Sequence, residues 1–146
     1  MPDLSPDLVR QTIYERFALG EVPSVRRIAD LLRAPIDDVS SAMHRLADAR
    51  ALVLQPTGEI LMAEPFSAVP TPFVIRGHRG EWWGNCIWDA LGIPAMLRLS
   101  AKLRTACQCC GQALSADIER GTVLHGEGVV HFAVPARWWW RDVVFT

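Results

Sequence analysis

The chain has 146 residues, of which 50% are hydrophobic and 21% are charged, and its formal net charge is −1. This length supports one ordinary domain or two small ones, and the composition excludes a disordered chain. The near-neutral charge argues against a general binder of nucleic acids or membrane surfaces, since both functions need a basic excess. The sequence has neither a membrane-spanning apolar run nor a signal peptide, so we expect a cytoplasmic protein without a membrane partner.

Three amphipathic helices are predicted in the first part of the chain. Apolar residues recur at helical spacing in three segments. The first covers residues 5–19, the second follows an N-cap at Ser24, and the third covers residues 35–49. Residues 51–62 then carry a hairpin signal, two short apolar runs around a Pro-Thr-Gly turn. Three helices followed by a hairpin predict a winged helix-turn-helix-like domain over residues 1–64.

The charges of this domain argue against DNA as a partner. Residues 1–65 carry seven arginines against ten acidic residues. The third predicted helix, which would enter the DNA groove, contains Asp37, Asp38 and Asp48. Aspartates oppose the phosphate contacts that supply much of DNA affinity. A structural or dimerising winged helix is therefore the simpler interpretation.

Prolines mark residues 65–72 as a linker, and residues 73–146 are predicted to form a second domain. Its predicted elements are a short strand at 74–75, a tryptophan-rich helix over 81–93, and strands at 97–105, 113–118 and 128–134. The predicted fold class is therefore α+β, with the helical domain preceding a small, mostly antiparallel sheet domain.

Cys86 and Asp89 are the most informative pair of residues in the chain. On the predicted helix they lie at i and i+3 and share one face. A thiolate is a soft nucleophile, and an aspartate on a largely apolar helix is expensive to bury unless it is paired or functional. Arg76, His78 and Arg79 lie just upstream and would favour the thiolate. Together, the pair predicts a site that attacks a bond to a soft metal and transfers a proton, although a buried structural cysteine and a surface carboxylate are the alternatives.

Tryptophans surround this pair in the sequence. Trp82, Trp83 and Trp88 are candidates for the wall of a pocket that binds an apolar substrate, and they are equally suited to anchor the core. The run 138–140 consists of three consecutive tryptophans, which cannot all face one core. At least one of them is therefore expected to meet another surface.

The remaining cysteines lie in one predicted turn. Cys107 and Cys110 have the Cys-x-x-Cys-Gly spacing of half a zinc knuckle, with Cys109 between them. A closed zinc site needs four ligands, so Cys109, Cys86 or a histidine would have to complete it. These four cysteines are the candidate metal ligands, for zinc or for a softer cation, and a thiol cluster without metal is the alternative.

The stretch from Trp83 to Ala95 resembles the active-site helix of the organomercurial (alkylmercury) lyases, in which Cys-x-x-Asp is followed shortly by proline. The segment from the next strand through Cys107 to Gly111, and the order of the two domains, are similar to that family as well. The resemblance implies that Cys86, as a thiolate, binds the mercury. It also implies that an aspartate in the position of Asp89 protonates the departing carbon. The products would be a hydrocarbon and Hg(II), with no cofactor required. The implied partners are a small organometallic substrate and cytosolic thiols or another acceptor of mercuric ion.

The resemblance also implies a second mercury-binding cysteine, which would follow Thr146. The domain over 73–146 is therefore expected either to be truncated at its C-terminal end or to use Cys107, Cys109 or Cys110 instead. Two other functions stay open from the sequence. One is a non-enzymatic thiol protein that binds a soft metal ion, and the other is a winged-helix regulator that senses a metal or a small ligand.

Overall fold

A computed structural model describes residues 4–144 and confirms the α+β class. In chain order the elements are α1 (Pro6–Ala18), α2 (Val25–Leu32), α3 (Ile36–Asp48), β1 (Val53–Leu54), β2 (Ile60–Ala63), β3 (Phe66–Ser67), β4 (Val74–Gly77), β5 (Gly80–Gly84), α4 (Ile87–Leu97), β6 (Ala101–Ala106), β7 (Ala113–Glu119), β8 (Thr122–Gly126) and a 3-10 helix at Ala136–Arg141. Within residues 4–144, every helix is too short or too polar to cross a membrane. The position after Thr146, where the second cysteine is expected, lies outside the described residues.

The three predicted N-terminal helices are present, with ends within two residues of the predicted ones. Ser24 caps α2 as expected, because its hydroxyl oxygen accepts a hydrogen bond from the Arg27 N–H at 3.1 Å. The predicted hairpin is formed by β1 and β2, which pair antiparallel directly after α3. The finer description of this region as a winged helix stays a prediction.

All eight strands belong to one antiparallel sheet with the order β1-β2-β3-β5-β4-β6-β7-β8. The proline-rich segment 65–72 contributes β3, whose residues Phe66 and Ser67 are buried. Since β3 pairs with β2 on one side and β5 on the other, the sheet runs through this segment without a break. The division into domains at 65–72 stays a prediction.

The predicted helix over 81–93 is wrong at both ends. Residues 80–84 form strand β5, and the helix begins only at Ile87. Glycines at both ends of β5 disfavour a helix, and its two tryptophans favour a strand. Pairing with β4 and β3 then satisfies the backbone of this segment. At the other end, Pro94 lies inside α4, which continues to Leu97.

Two predicted strands are also shifted. The strand expected over 97–105 begins at Ala101, because α4 occupies the residues before a left-handed turn at Arg98. The strand at 113–118 is confirmed as β7. The strand expected at 128–134 is instead β8, which lies a few residues earlier and pairs with β7 through a tight turn at Gly121.

The main core lies between the helices and one face of the sheet. The Phe17 ring of α1 stacks on the Phe66 ring of β3 with a centroid separation of 5.0 Å. Trp82 from β5 is 3% exposed, and its indole N–H donates to the Phe17 carbonyl at 2.6 Å. These contacts join α1 to two neighbouring strands, so the helical part and the sheet share one continuous core.

We expect Trp82→Phe to lower the free energy of unfolding by about 2 kcal/mol, since it removes a buried hydrogen bond and leaves unfilled volume. Trp83→Phe is the matched control, because consecutive strand residues face opposite sides of a sheet and Trp83 is only partly buried. Denaturant unfolding of both variants provides the measurement. Equal losses in the two variants would contradict the core role of Trp82.

Candidate active site at the start of helix α4

Cys86 and Asp89 meet at the N-terminal end of α4. Cys86 is the N-cap residue, with extended backbone angles (φ −143°, ψ −177°), and its carbonyl accepts the first helical hydrogen bond from the Ala90 N–H at 3.0 Å. Asp89 lies in the first turn of the helix. Cys86 and Asp89 thus lie on one side of the helix as predicted, but at its start and not in its middle. At a helix start, the side chain of the N-cap residue and the side chain three residues later approach each other.

The environment of the Cys86 sulfur has opposing effects. Burial raises the pKa of the Cys86 thiol, and the negative charge of Asp89 raises it further. The backbone N–H groups of Asp89 and Trp88 are directed toward the sulfur and lower the pKa, although their geometry falls short of full cap hydrogen bonds. The net effect raises the pKa, so the free protein holds Cys86 as a thiol more strongly than an exposed cysteine would be held.

The carboxyl group of Asp89 is perturbed in the same direction. Burial raises the pKa of Asp89, while the Asn85 side chain, the Cys86 thiol and the backbone N–H groups of both residues lower it. The effect of burial is the largest of these, so the pKa of Asp89 is raised overall. Asp89 therefore retains a proton to a higher pH than an exposed aspartate, which suits a group that must deliver one.

Asn85 is a neighbour that the sequence reasoning did not select. Both polar atoms of its side-chain amide, Nδ2 and Oδ1, are buried without a hydrogen-bond partner among the described residues. The amide lowers the pKa of Asp89 from nearby, but it does not reach hydrogen-bonding geometry. A buried unpaired amide costs free energy, so its position beside Cys86 requires an explanation. An asparagine in an otherwise apolar segment next to a cap residue was the available sequence signal.

Glu64 and Tyr14 also lie within electrostatic reach of Asp89. Burial is the largest cause of the raised pKa of each group, and the Asp89 charge adds to it. The Tyr14 hydroxyl donates to the Glu64 carbonyl at 2.8 Å. Both residues come from distant segments, so no local pattern could have revealed them.

Two of the upstream cations are engaged with other groups. The Arg76 guanidinium is paired with the Glu81 carboxylate across the β4–β5 hairpin. Arg79 donates to the Leu97 carbonyl at 2.7 Å. The expectation that Arg76, His78 and Arg79 favour the Cys86 thiolate stays a prediction.

The structure does not bring the three predicted pocket tryptophans together. Trp82 is in the core, where its N–H is bound to α1, and Trp83 points to the opposite face of β5. Trp88 follows Cys86 on α4 but is 62% exposed. Two tryptophans of the run 138–140, Trp138 and Trp140, are also exposed.

The four cysteines do not assemble into one metal site. Cys107, Cys109 and Cys110 lie at the turn between β6 and β7, whereas Cys86 lies at the start of α4. Among residues 4–144, no group of three or more cysteine, histidine or acidic side chains could hold a metal ion. The predicted joint metal site of the four residues is therefore not formed, and the zinc site predicted at the turn lacks its further ligands.

A family model described as alkylmercury lyase matches residues 66–146, more than half of the chain, and this range includes Cys86 and Asp89. The chain belongs to the alkylmercury lyase family. The family resemblance read from the sequence is thereby confirmed.

A solved structure with a similar fold is the mercury-bound form of MerB2. Its TM-score is 0.65 at 17% sequence identity, over 86% of this chain and 61% of that one. The present chain therefore spans less than two thirds of the length of that structure, and the likeness concerns the fold. Comparison with curated proteins gives no match.

We expect Gly84→Ala to destabilise the protein by about 1–3 kcal/mol, because the added carbon would lie 2.7 Å from the Ala90 nitrogen and force β5 and α4 apart. Gly92→Ala is the control, since nothing lies within 4 Å of its new carbon and alanine favours the helix. Thermal unfolding measures both. A Gly84→Ala variant as stable as the Gly92→Ala variant would refute the close contact.

We expect Asp89→Asn to lower the pKa of Cys86, because it removes a nearby negative charge that opposes the thiolate. The rate of Cys86 alkylation by iodoacetamide should then rise at a lower pH than in the unmodified protein. Mass spectrometry of the Cys86 peptide follows this rate site by site. Glu64→Gln is the control, because Glu64 does not contribute to the Cys86 shift. An unchanged pH profile in Asp89→Asn would contradict the coupling.

Proposed function

We propose that this chain is an organomercurial lyase-like protein that cleaves carbon–mercury bonds by protonolysis. The observation that carries the proposal is the contact between the Cys86 thiol and the Asp89 carboxyl group at the start of α4. Membership of the alkylmercury lyase family supports the substrate class. The proposed products are a hydrocarbon and Hg(II).

Cys86 is proposed to bind the mercury atom of the substrate. Mercury is a soft metal, so sulfur is the side-chain atom that coordinates it most strongly. The raised pKa of Cys86 means that the thiol must lose its proton as the sulfur–mercury bond forms. Asp89, which contacts that thiol, is the group in position to accept the proton.

Asp89 is proposed to deliver this proton to the carbon atom. As the carbon–mercury bond breaks, its electron pair takes the proton from the Asp89 carboxyl group and the hydrocarbon leaves. The balance is that an organomercury cation and a cysteine thiol become a hydrocarbon and a thiolate-bound mercuric ion. The raised pKa of Asp89 favours this role, because a carboxyl group that holds its proton more strongly can act as general acid nearer neutral pH.

Asn85 is proposed as a positioning residue for Asp89. Its amide is buried, lacks a hydrogen-bond partner among the described residues and lies close to the carboxyl group. A small movement of Asp89 during proton transfer would let its carboxyl group form a hydrogen bond with this amide. That bond would hold the carboxyl group in place after it moves away from the Cys86 thiol.

The proposal is tested by incubating the full chain with phenylmercury and measuring the benzene that is released. We expect Cys86→Ser and Asp89→Ala each to reduce the rate by at least about 100-fold, because general acid catalysis alone contributes that much. Asp117→Asn is the matched control, since Asp117 is a surface carboxylate paired with Lys102 on β6. Benzene release that survives in Cys86→Ser, or that is absent from the unmodified chain in the presence of excess small thiol, would refute the proposal.

A further inference from the structure

We propose that Cys107 and Cys110 form a second site, separate from Cys86, which binds Hg(II) or a similar soft cation between two thiolates. The site lies at the turn that joins β6 and β7. It does not depend on carbon–mercury cleavage, and it would hold the free ion.

The turn is closed by two backbone hydrogen bonds. The Cys107 N–H donates to the Gln112 carbonyl at 2.8 Å, and the Gly111 N–H donates to the Cys107 carbonyl at 2.8 Å. Gly111 has φ +73°, which allows the chain to turn sharply after Cys110. The turn therefore holds Cys107 and Cys110 on one small loop, and the strands β6 and β7 fix both of its ends.

The spacing of the two cysteines suits a shared ligand. Cys107 and Cys110 are three residues apart in the tight turn, the Cys-x-x-Cys arrangement that presents two sulfur atoms to one ion. The N–H groups of Cys110 and Cys109 are directed toward the Cys107 sulfur, and the Cys110 thiol lies on the same side. Two neighbouring thiols are a suitable pair of ligands for a soft cation.

A site with only two thiol ligands favours mercuric ion over zinc. A structural zinc ion takes four ligands, and no group of three or more metal-binding side chains occurs within residues 4–144. Mercuric ion, by contrast, is satisfied by two thiolates in a linear arrangement. Cys110 is exposed and Cys107 is partly buried, so the outer thiol can move to reach this geometry while the inner one stays fixed.

Cys107 also faces a cavity of about 460 Å³. The walls include Ile87 and Leu91 of α4, together with Leu103 of β6 and Cys109. Ile87 directly follows Cys86 in the chain, so the cavity extends from the start of α4 to the cysteine turn.

The Cys86→Ser chain isolates the proposed site, because its remaining thiols all lie in the turn. It would be loaded with mercuric chloride, challenged with excess 2-mercaptoethanol and passed through gel filtration before the mercury is measured. We expect about one Hg(II) per chain to be retained, since two thiols on one loop outcompete a single free thiol. The further change Cys110→Ser should weaken retention by about 100-fold, because Cys107 then loses the thiol three residues away that completes the proposed pair, and only Cys109, outside that pair, remains.

Cys109→Ser in the same background is the matched control and should keep its mercury, because Cys109 lies in the same turn but outside the proposed pair. Cys107→Ser should behave like Cys110→Ser, and circular dichroism checks that each variant is folded. If the Cys107 variant is unfolded, the Cys110 variant decides, since its side chain is exposed. No retention by the Cys86→Ser chain, or equal losses in the Cys109 and Cys110 variants, would overturn the proposal. These outcomes are independent of benzene release, so they do not bear on the proposed lyase reaction.

Discussion

The close approach of two backbones, at Gly84 and Ala90, is the constraint on which the site depends. Strand β5 ends at Gly84, and only the absence of a side chain lets the first turn of α4 lie against it. The chain must then reverse within two residues, which places Cys86 at the cap of the helix. Ala90 and Ile93 are fully buried from the same helix. The packing that fixes the helix start therefore also fixes the sulfur and the carboxyl group.

The site weakens the fold as the pH rises. Asp89, Glu64 and Cys86 all have raised pKa values, and burial is the largest cause in each case. For an acid whose pKa is higher in the folded than in the unfolded state, the protonated form favours folding. The penalty is therefore absent below the unfolded-state pKa and becomes complete above the folded-state pKa. Buried ionisable groups that reduce stability in this way are common at reactive sites.

The sequence predicted the helical part of the fold better than the sheet. Helices α1 to α3 depend on local periodicity and on a cap such as Ser24, so their ends could be read directly. The segment containing Trp82 was wrongly predicted as a helix, because its strand state depends on pairing with β3 and β4, which no local pattern records. Pro94 was expected to end a helix that in fact continues past it.

The same division between local and distant contacts applies to the site. Cys86 and Asp89 could be paired from their spacing alone, because a helix start brings together residues three apart. Glu64 and Tyr14 come from segments more than twenty residues away, and only the packing of the sheet against α1 brings them near Asp89. The predicted tryptophan pocket shows what residue composition cannot predict. Trp82 and Trp83 are neighbours in the sequence, but consecutive residues of a strand face opposite sides of the sheet, so they do not line one pocket.

Because the sheet is continuous, the chain cannot be shortened at the linker without disrupting the sheet. The part that carries the family signature starts at Phe66, which is the first residue of β3. A protein trimmed to that point would lose β2 and leave the hydrogen-bonding groups of β3 unpaired at an open edge, a common cause of aggregation. The ring of Phe66 would also lose the Phe17 ring that covers it. The sheet residues from Phe66 onward therefore depend on the helical part for their cover, and we expect the two parts to be inherited together.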